Sequence, residues 1–598
     1  MKVDRFDRVE INISKGTKHS TGFGRSARRK SDSRSLRRRT IIALIFVEIC
    51  FALLLYRLFW LQCIDGKELK LRADLQHRKT LCINPRRGAI YDKKGKPLAI
   101  STKSYSLYSD PSALVKPELV ADSLSPVLGV PKGDILRKFD PEKHFVWLKR
   151  QLPEQTAKTI KMHNFKGLDF QEEGKRFYPQ GALASHVLGF VGLDNVGLEG
   201  IEKKYDAFMR RESNEILTRK DRKGRDLDPL NVSYNRPAPG HDLVLTLDSV
   251  IQSIVERELQ SACEKWNANG GSVIVMNPKT GEILALANYP TYNLNNAFSV
   301  DDDSKRNRAL IDLYEPGSAF KIITASSVIN ENLVNPNEII DCENGEYRVK
   351  GHVIHDSGSH GQLTFREVIE ESSNIGTVKI AKRLGKERLY KYIKAFGLGE
   401  KTGVDTLETD GIVKEPKKWT ERSMDAIPYG QEILVTAIQM LSATNAIAND
   451  GVIMQPFIVK KVVDGHNSIN EFTPSESKRP ISAKTAQIMK SILVGAVENG
   501  TGQKAKMDGY MVAGKTGTSQ KASDDGNGYL SGKYVSSFVG FLPADKPLIS
   551  MIIVIDEPQG EYLGGVVSCP VFKEIATQIM QYLTVGQGVC VTKMKPTS

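Results

Sequence analysis

Residues 41–61, IIALIFVEICFALLLYRLFWL, make a run of 21 that is apolar apart from Glu48 and Arg57. As a helix rising ~1.5 Å per residue it would be about 30 Å long, the hydrocarbon thickness of a bilayer. It is longer than the apolar core of a secretion signal, and no small-x-small cleavage site follows it. Leu61-Gln62-Cys63 is a poor lipoprotein signal, because Gln is not small. We therefore read residues 40–62 as an uncleaved, single-pass transmembrane anchor. Arg37, Arg38 and Arg39 abut its start, so the positive-inside rule puts the N-terminus in the cytoplasm and the rest of the chain outside the inner (cytoplasmic) membrane. Arg57 lies near the outer end, where its long side chain reaches the interface. Glu48 is deeper and on the opposite helix face. It is either a protonated, tolerated acid or a hydrogen-bonding contact for a second membrane helix.

The rest of the charge pattern follows from this division. Residues 1–39 hold 13 Lys/Arg against 4 Asp/Glu, which accounts for +9 of the chain's +14. The basic excess is thus a property of a polar, Ser/Arg/Lys-rich cytoplasmic tail expected to be disordered. It gives no reason to expect nucleic-acid binding by the exported body. At 598 residues the chain is too long for one core, so several domains are expected. Its seven cysteines (50, 63, 82, 263, 342, 569 and 590) are scattered, odd in number and free of C-x-x-C, which argues against a disulfide framework or a zinc knuckle.

Past the anchor, Asp65 to His77 reads as a continuing helix, and Asn84 to Ala99 as strand, Gly-bearing turn, strand. Two further stretches stand out before residue 240: Arg176-Phe177-Tyr178-Pro179, and Gly192 to Tyr205 with Gly197-Leu198-Glu199-Gly200. No acids or histidines converge there on a nameable chemistry, so 63–240, a mixture of short helices and strands, is taken as a non-catalytic mixed α/β module. From 241 the pattern sharpens. Asp242 to Leu247 is a strand. Ser249 with Gln252 is a capping box opening a helix with Ile251, Ile254, Val255, Leu259, Ala262, Cys263 and Trp266 on one face. Gly271 to Met276 and Glu282 to Ala287 form strand, turn, strand. A mostly helical stretch reaches about 450. Tyr510 to Lys521, Val535 to Leu542 and Leu548 to Asp556 are strand candidates, and Val571 to Leu583 a closing helix. Strands at both ends with helices between them predict an α+β domain over 241–586, an antiparallel sheet covered by helices, followed by a tail at 587–598.

Three sites in that domain carry chemistry. Ser318-Ala319-Phe320-Lys321 follows Tyr314-Glu315-Pro316-Gly317 at a helix start, so a hydroxyl and an amine three residues apart share one helix face, beside N–H groups suited to an oxyanion. Ser372-Ser373-Asn374 sits between a helix opened by a Thr364–Glu367 capping box and one stopped by Gly385. Lys515-Thr516-Gly517-Thr518 reads as a strand, in which Gly517 lets another backbone approach while Lys515 presents a cation, an arrangement suited to an extended, carboxylate-bearing substrate on a sheet edge. The G-x-x-x-x-G-K spacing of a phosphate loop is absent. His352, His355 and His360 near Cys342 fit no standard metal-ligand set, and no metal or cofactor is expected. A free Lys cannot act as a base near neutrality, so Lys321 has to be desolvated or set near a second cation, for which Lys515 is the candidate.

S-x-x-K, S-x-N and K-T-G, in that order in one exported chain, resemble the penicillin-binding proteins and serine β-lactamases. The flanks (Arg306-Asn307-Arg308-Ala309-Leu310, Tyr314-Glu315-Pro316-Gly317, Arg87-Gly88-x-Ile90-x-Asp92, Gly361-x-Leu363-Thr364) and the single anchor are similar to class B penicillin-binding proteins, especially the septal cell-division transpeptidase. The resemblance covers about residues 40–585 and implies that the 63–240 module is a dimerisation-like pedestal. At Pro428-Tyr429-Gly430-Gln431 the chain departs from it, with Tyr429 in place of a small residue. The resemblance implies that Ser318 attacks the carbonyl between the terminal D-Ala residues of a donor stem peptide, with Lys321 as base. Ser372 relays a proton to the leaving amine, and Lys515 supports that relay. Asn374 binds the donor amide, Thr516 and Thr518 hold its carboxylate, and the N–H groups of Ser318 and Thr518 form the oxyanion hole. An amine of a neighbouring stem peptide then makes the cross-link, and β-lactams acylate Ser318. No glycosyltransferase motif precedes 240, so a membrane glycan polymerase and other division proteins are the implied partners. The alternatives are an elongation-type transpeptidase, a serine β-lactamase or D,D-carboxypeptidase, and a non-enzymatic division scaffold.

Overall fold

The computed structural model describes residues 33–70, 78–83, 85–211, 214–219, 238–349, 351–465, 467–523 and 528–586. The expectations for the chain before residue 33, for a helix reaching His77 and for the tail 587–598 fall outside these residues in whole or in part. The chain divides into two compact units, Met1–Leu81 with Ile216–Tyr234, and Cys82–Glu215 with Asn235–Ser598.

In the first unit, helix α1 (Ser33–Phe59) runs on through a π turn at Trp60–Ile64. Residues Arg37–Ile64 are long and apolar enough to cross a membrane. Its apolar side chains, Ile42, Phe46 and Leu54 among them, are exposed, as a surface meant for lipid has to be. The helix starts at Ser33, so the arginine triplet lies within its first turns.

Among the described residues the second unit contains two large sheets and three short two-stranded ones. Strands β1 (Ile90–Tyr91), β2 (Pro97–Ser109), β3 (Val146–Leu152) and β4 (Leu168–Phe177) come from the pedestal. Strand β5 (Asp242–Leu245) pairs in parallel with β1, so the sheet takes strands from both sides of residue 240. Helix α2 (Ser249–Lys265) follows, then the hairpin β6 (Gly270–Met276) and β7 (Ile283–Tyr289). The predicted apolar face of α2 is inward, but the predicted capping box does not form. Asp248 caps the helix, accepting from the N–H groups of Val250 and Ile251. Its carboxylate is also held by the Tyr582 hydroxyl, and a charged acceptor outcompetes a serine hydroxyl at a helix N-terminus. Gln252, 1% exposed, instead spends its amide on the Leu286 backbone and Glu256.

The helical layer includes α3 (Lys321–Asn330), α4 (Phe365–Glu370), α5 (Asn374–Leu384) and α6 (Ala437–Ala448). The Thr364–Glu367 capping box is present on α4, and Gly385 ends α5 at φ +80. Strands β8 (Val459–Asp464) and β9 (Asn467–Glu471) complete the first sheet, in the order β9-β8-β5-β1-β2-β3 with β4 also on β2. After helix α7 (Ala483–Glu498) come β10 (Ala513–Ala522), β11 (Tyr529–Leu542) and β12 (Ile549–Asp556), and the closing helix α8 (Gly564–Gly586). They form the antiparallel sheet β10-β11-β12-β6-β7 expected from the sequence. It is buried on both faces, which is why β12 reads Met551-Ile552-Ile553-Val554-Ile555 with no polar alternation. Ile552 and Val554 join the core under the helical layer, while Met551, Ile553 and Ile555 pack with α2 and α8.

The two pedestal stretches without an assigned chemistry turn out to be one structure. Glu202, wholly buried, accepts from Arg87 Nε and Arg176 Nε at 2.6 Å each. Arg87 also reaches Asp206 and the carbonyls of Asn195 and Glu202, and Arg176 the carbonyl of Gly88. Asp92 accepts from the N–H groups of Lys94, Lys96 and Ser249, tying the β1–β2 turn to the start of α2.

Candidate active site

Ser318 lies in a 3-10 turn, Gly317–Phe320, that feeds directly into α3 at Lys321. Gly317 has φ +52, and a Cβ there would meet the Thr518 carbonyl oxygen at 2.5 Å, so only glycine lets this turn seat against β10. Gly517 does the same from the strand side, since a Cβ on it would meet Ser537 Oγ at 2.3 Å and the Pro316 carbonyl at 2.8 Å. Ser318 is half-buried, whereas Lys321 and Lys515 are fully buried.

Lys321 Nζ is the junction of the first two motifs. It lies 3.1 Å from Ser318 Oγ, 3.1 Å from Ser372 Oγ, 2.5 Å from the Ser372 carbonyl oxygen and 2.7 Å from Asn374 Oδ1. The last two can only accept, and Asn374 Nδ2 donates to the His355 carbonyl at 2.9 Å, which fixes the amide's orientation. A neutral amine has two N–H bonds and one lone pair. With both N–H bonds spent on those oxygens, the lone pair is left for a hydroxyl proton, that of Ser318 or Ser372. The neutral form is favoured because burial, and then the charge of Lys515, push the Lys321 amine well below its ordinary range. Burial pushes Lys515 down to about 7.

Ser372 adopts φ +63, an uncommon conformation for a residue with a side chain. Its surroundings hold it there. Ser373 caps α5 by accepting from the Gly376 N–H, and it donates to Asp356 Oδ2 at 2.5 Å. Asp356 Oδ1 accepts from the N–H groups of Asn374 and Ile375 at 2.6 and 3.0 Å. Asp356 therefore holds the Ser-x-Asn turn, and sequence reasoning missed it. Its only signal was an Asp beside His355 in a loop weighed for metal binding. The histidines themselves face acids, His352 toward Asp425 and His355 toward Glu346. The Pro428–Gln431 loop was also undervalued, since Gly430 and Gly317 share a backbone hydrogen bond and the Pro428 carbonyl accepts from Thr324.

Lys515, Thr516, Gly517 and Thr518 lie on β10, an edge strand of the sheet. Among the described residues Lys515 Nζ bonds only Thr516, at 3.3 Å to the hydroxyl and 3.5 Å to the carbonyl, so no direct hydrogen bond joins it to Ser318 or Ser372. Thr516 shares a 2.8 Å hydrogen bond with Thr501, and Thr518 Oγ1 accepts from the Gly564 N–H at 3.0 Å. The three distant motifs thus meet around a partly exposed hydroxyl, a neutralised amine and an open strand edge, an arrangement suited to acyl transfer on an extended peptide.

The known proteins that this chain resembles agree with that chemistry. Residues 271–577 match the family model described as the penicillin binding protein transpeptidase domain, and 82–245 that of the penicillin-binding protein dimerisation domain. Stage V sporulation protein D of Bacillus subtilis is 34% identical over 563 residues, covering 90% of this chain and 85% of its own. The peptidoglycan D,D-transpeptidase FtsI of Escherichia coli is 31% identical over 555 residues, covering 91% and 92%. The crystal structure of penicillin binding protein 3 from Mycobacterium tuberculosis, complexed with aztreonam, superposes with a TM-score of 0.66 at 28% identity, over 84% of this chain and 98% of that one.

Proposed function

Since the chain belongs to the penicillin-binding protein family and is a peptidoglycan D,D-transpeptidase, we propose that Ser318 is its nucleophile and Lys321 the base that activates it. Ser318 Oγ attacks the carbonyl between the two terminal D-Ala residues of a donor stem peptide as Lys321 Nζ takes its proton. The oxyanion is received by the N–H groups of Ser318 and Thr518. Ser372, within 3.1 Å of the same Nζ, returns the proton to the departing amine, and the positive charge of Lys515 keeps Lys321 in its neutral, proton-accepting form. Asn374 binds the donor amide, Thr516 and Thr518 hold its carboxylate, and Gly517 lets its backbone lie along β10. The amine of a second stem peptide then resolves the acyl-enzyme into a cross-link. A β-lactam, which mimics D-Ala-D-Ala, would stop at the acyl-enzyme.

The observation that carries this reading is Lys321 Nζ lying 3.1 Å from both serine hydroxyls while burial and Lys515 disfavour its ammonium form. Labelling by a fluorescent penicillin tests it. The wild type is labelled, and Ser318→Ala is not, with an unchanged melting temperature. Labelling of the Ser318→Ala protein would overturn the assignment.

The Arg37–Arg39 triplet ahead of an apolar helix supports a cytoplasmic N-terminus with the catalytic unit outside the inner membrane. The match to a pedestal-type domain over 82–245 leaves strand polymerisation to a partner, a membrane glycan polymerase. We assign the enzyme to septal wall synthesis together with other division proteins. A tagged protein spread along the side wall rather than gathered at midcell would overturn that assignment.

A further inference from the structure

A cavity of ≈ 630 Å³ lies beside the nucleophile's turn. One wall is the segment leading into Ser318, from Asp303 to Glu315. Another is β10 beyond the Lys-Thr-Gly motif, from Ser519 onward, and Asp556 of β12 also lines the cavity. Gly317 is packed on Thr518, so these two walls run on from the reaction centre, one on each side.

Nearly all the charge in the cavity is spent internally. Asp303 and Asp312 each pair with both Arg306 and Arg308, and Asp556 pairs with Lys521. Glu315 differs. It is 8% exposed, and among the described residues no Lys, Arg or His pairs with it. Its Oε1 accepts from the Glu432 N–H at 2.9 Å and the Tyr529 hydroxyl at 3.4 Å, while Oε2 is buried without a partner. The hydroxyl of Tyr314, which lines the same cavity, is also buried without a partner. Burial pushes the Glu315 carboxyl up to about 7. An unsatisfied carboxylate oxygen is costly to bury and calls for a donor. The cavity's cations are all engaged by acids, so among the described residues no cation of the chain supplies that donor.

We propose that this cavity receives the ammonium-bearing end of the acceptor stem peptide, with Glu315 as its counter-charge, an inference that rests on the acyl-enzyme reading above. The ammonium gives one proton to Glu315 Oε2, and the freed amine attacks the acyl carbon. A C–N bond forms and the C–Oγ bond to Ser318 breaks. The proton shed by the attacking nitrogen passes through Lys321 to Ser318 Oγ, and Glu315 returns its proton to solvent.

The test uses the full-length protein in detergent micelles, acylated from a thioester analogue of the D-Ala donor. The ratio of aminolysis to hydrolysis is followed against the concentration of Nα-acetyl-lysine amide. In Glu315→Gln that ratio falls at least about tenfold, through a raised KM for the amine, while fluorescent-penicillin labelling of Ser318 changes less than about threefold. An unchanged ratio overturns the proposal. So do equal losses of labelling and ratio, which make Glu315 a mere support of the Ser318 turn. With the wild type, the trimethyllysine analogue competes with the amine about tenfold better than the uncharged norleucine analogue, and equal competition overturns the proposal without any variant. If the wild type itself is not labelled by penicillin, the acyl-enzyme reading fails, and this one fails with it.

Discussion

Two groups of ionisable side chains, buried but for the half-buried Asp206, lie in the same compact unit, and they solve the burial of charge in opposite ways. In the pedestal, Arg87 and Arg176 close on Glu202 and Asp206 at 2.5–2.6 Å. Burial alone would weaken the charge on Arg87, but the neighbouring Glu202 and Asp206 outweigh it and hold its proton more tightly than usual. In the cleft, Lys321 and Lys515 are just as buried, but each finds mostly neutral oxygens, and the charge of Lys515 works against Lys321. The first arrangement keeps ions as ions and serves the fold. The second discourages them from being ions, which makes an amine usable as a base at neutral pH.

If that contrast is right, damage to each cluster separates activity from stability. Lys321→Ala should lower β-lactam acylation by about 10⁴-fold, with an unchanged melting curve, because the amine removed contributes base chemistry rather than a satisfied ion pair. Normal penicillin labelling of this variant would break the comparison on the catalytic side. Glu202→Gln should do the reverse. It leaves Arg176 without an acid partner and Arg87 with Asp206 alone, and costs about 3–5 kcal/mol, read by urea denaturation, while the folded fraction acylates normally. A variant of wild-type stability would break it on the structural side. Lys515→Met should cost about 10²-fold in acylation at neutral pH, and it sharpens the comparison through pH. Losing the neighbouring cation lets Lys321 hold its proton more firmly, so the acid limb of the acylation profile moves to higher pH. Stability responds as well. Burial lowers Lys515 from the ordinary 10.5 of a free lysine to about 7, so between those values the unfolded chain binds the extra proton and wild-type stability rises with pH. In Lys515→Met that rise should shrink, and an unaltered pH dependence of stability would show that Lys515 is not desolvated.

How much of this was legible depended on how local the cause was. The Thr364–Glu367 box and the Gly385 stop were readable because each interaction closes within four residues. At Ser249 the same pattern misled. Asp248, one residue earlier, is held from 334 residues away by Tyr582, and no local rule sees that. Arg87, Arg176 and Glu202 were visible as unusual stretches, but their meaning lay in their meeting. Asp356 was hidden for a related reason, because its partners Ser373 and Asn374 sit 17 and 18 residues further on.

From its sequence alone, this protein had to have an apolar helix long enough to cross a membrane, an antiparallel sheet with a helical cover, and three motifs carrying a hydroxyl, an amine and a cation. Each of these follows from residue type, spacing and hydrophobic period. Only the folded chain could decide that Lys321 faces two carbonyl-type acceptors and two hydroxyls at once, that Lys515 lies near enough to lower its proton affinity, and that Glu315 has no counter-ion among the described residues. Proton affinity depends on solvent exclusion and on the distances between charges, and both arise when segments far apart in the chain are packed together.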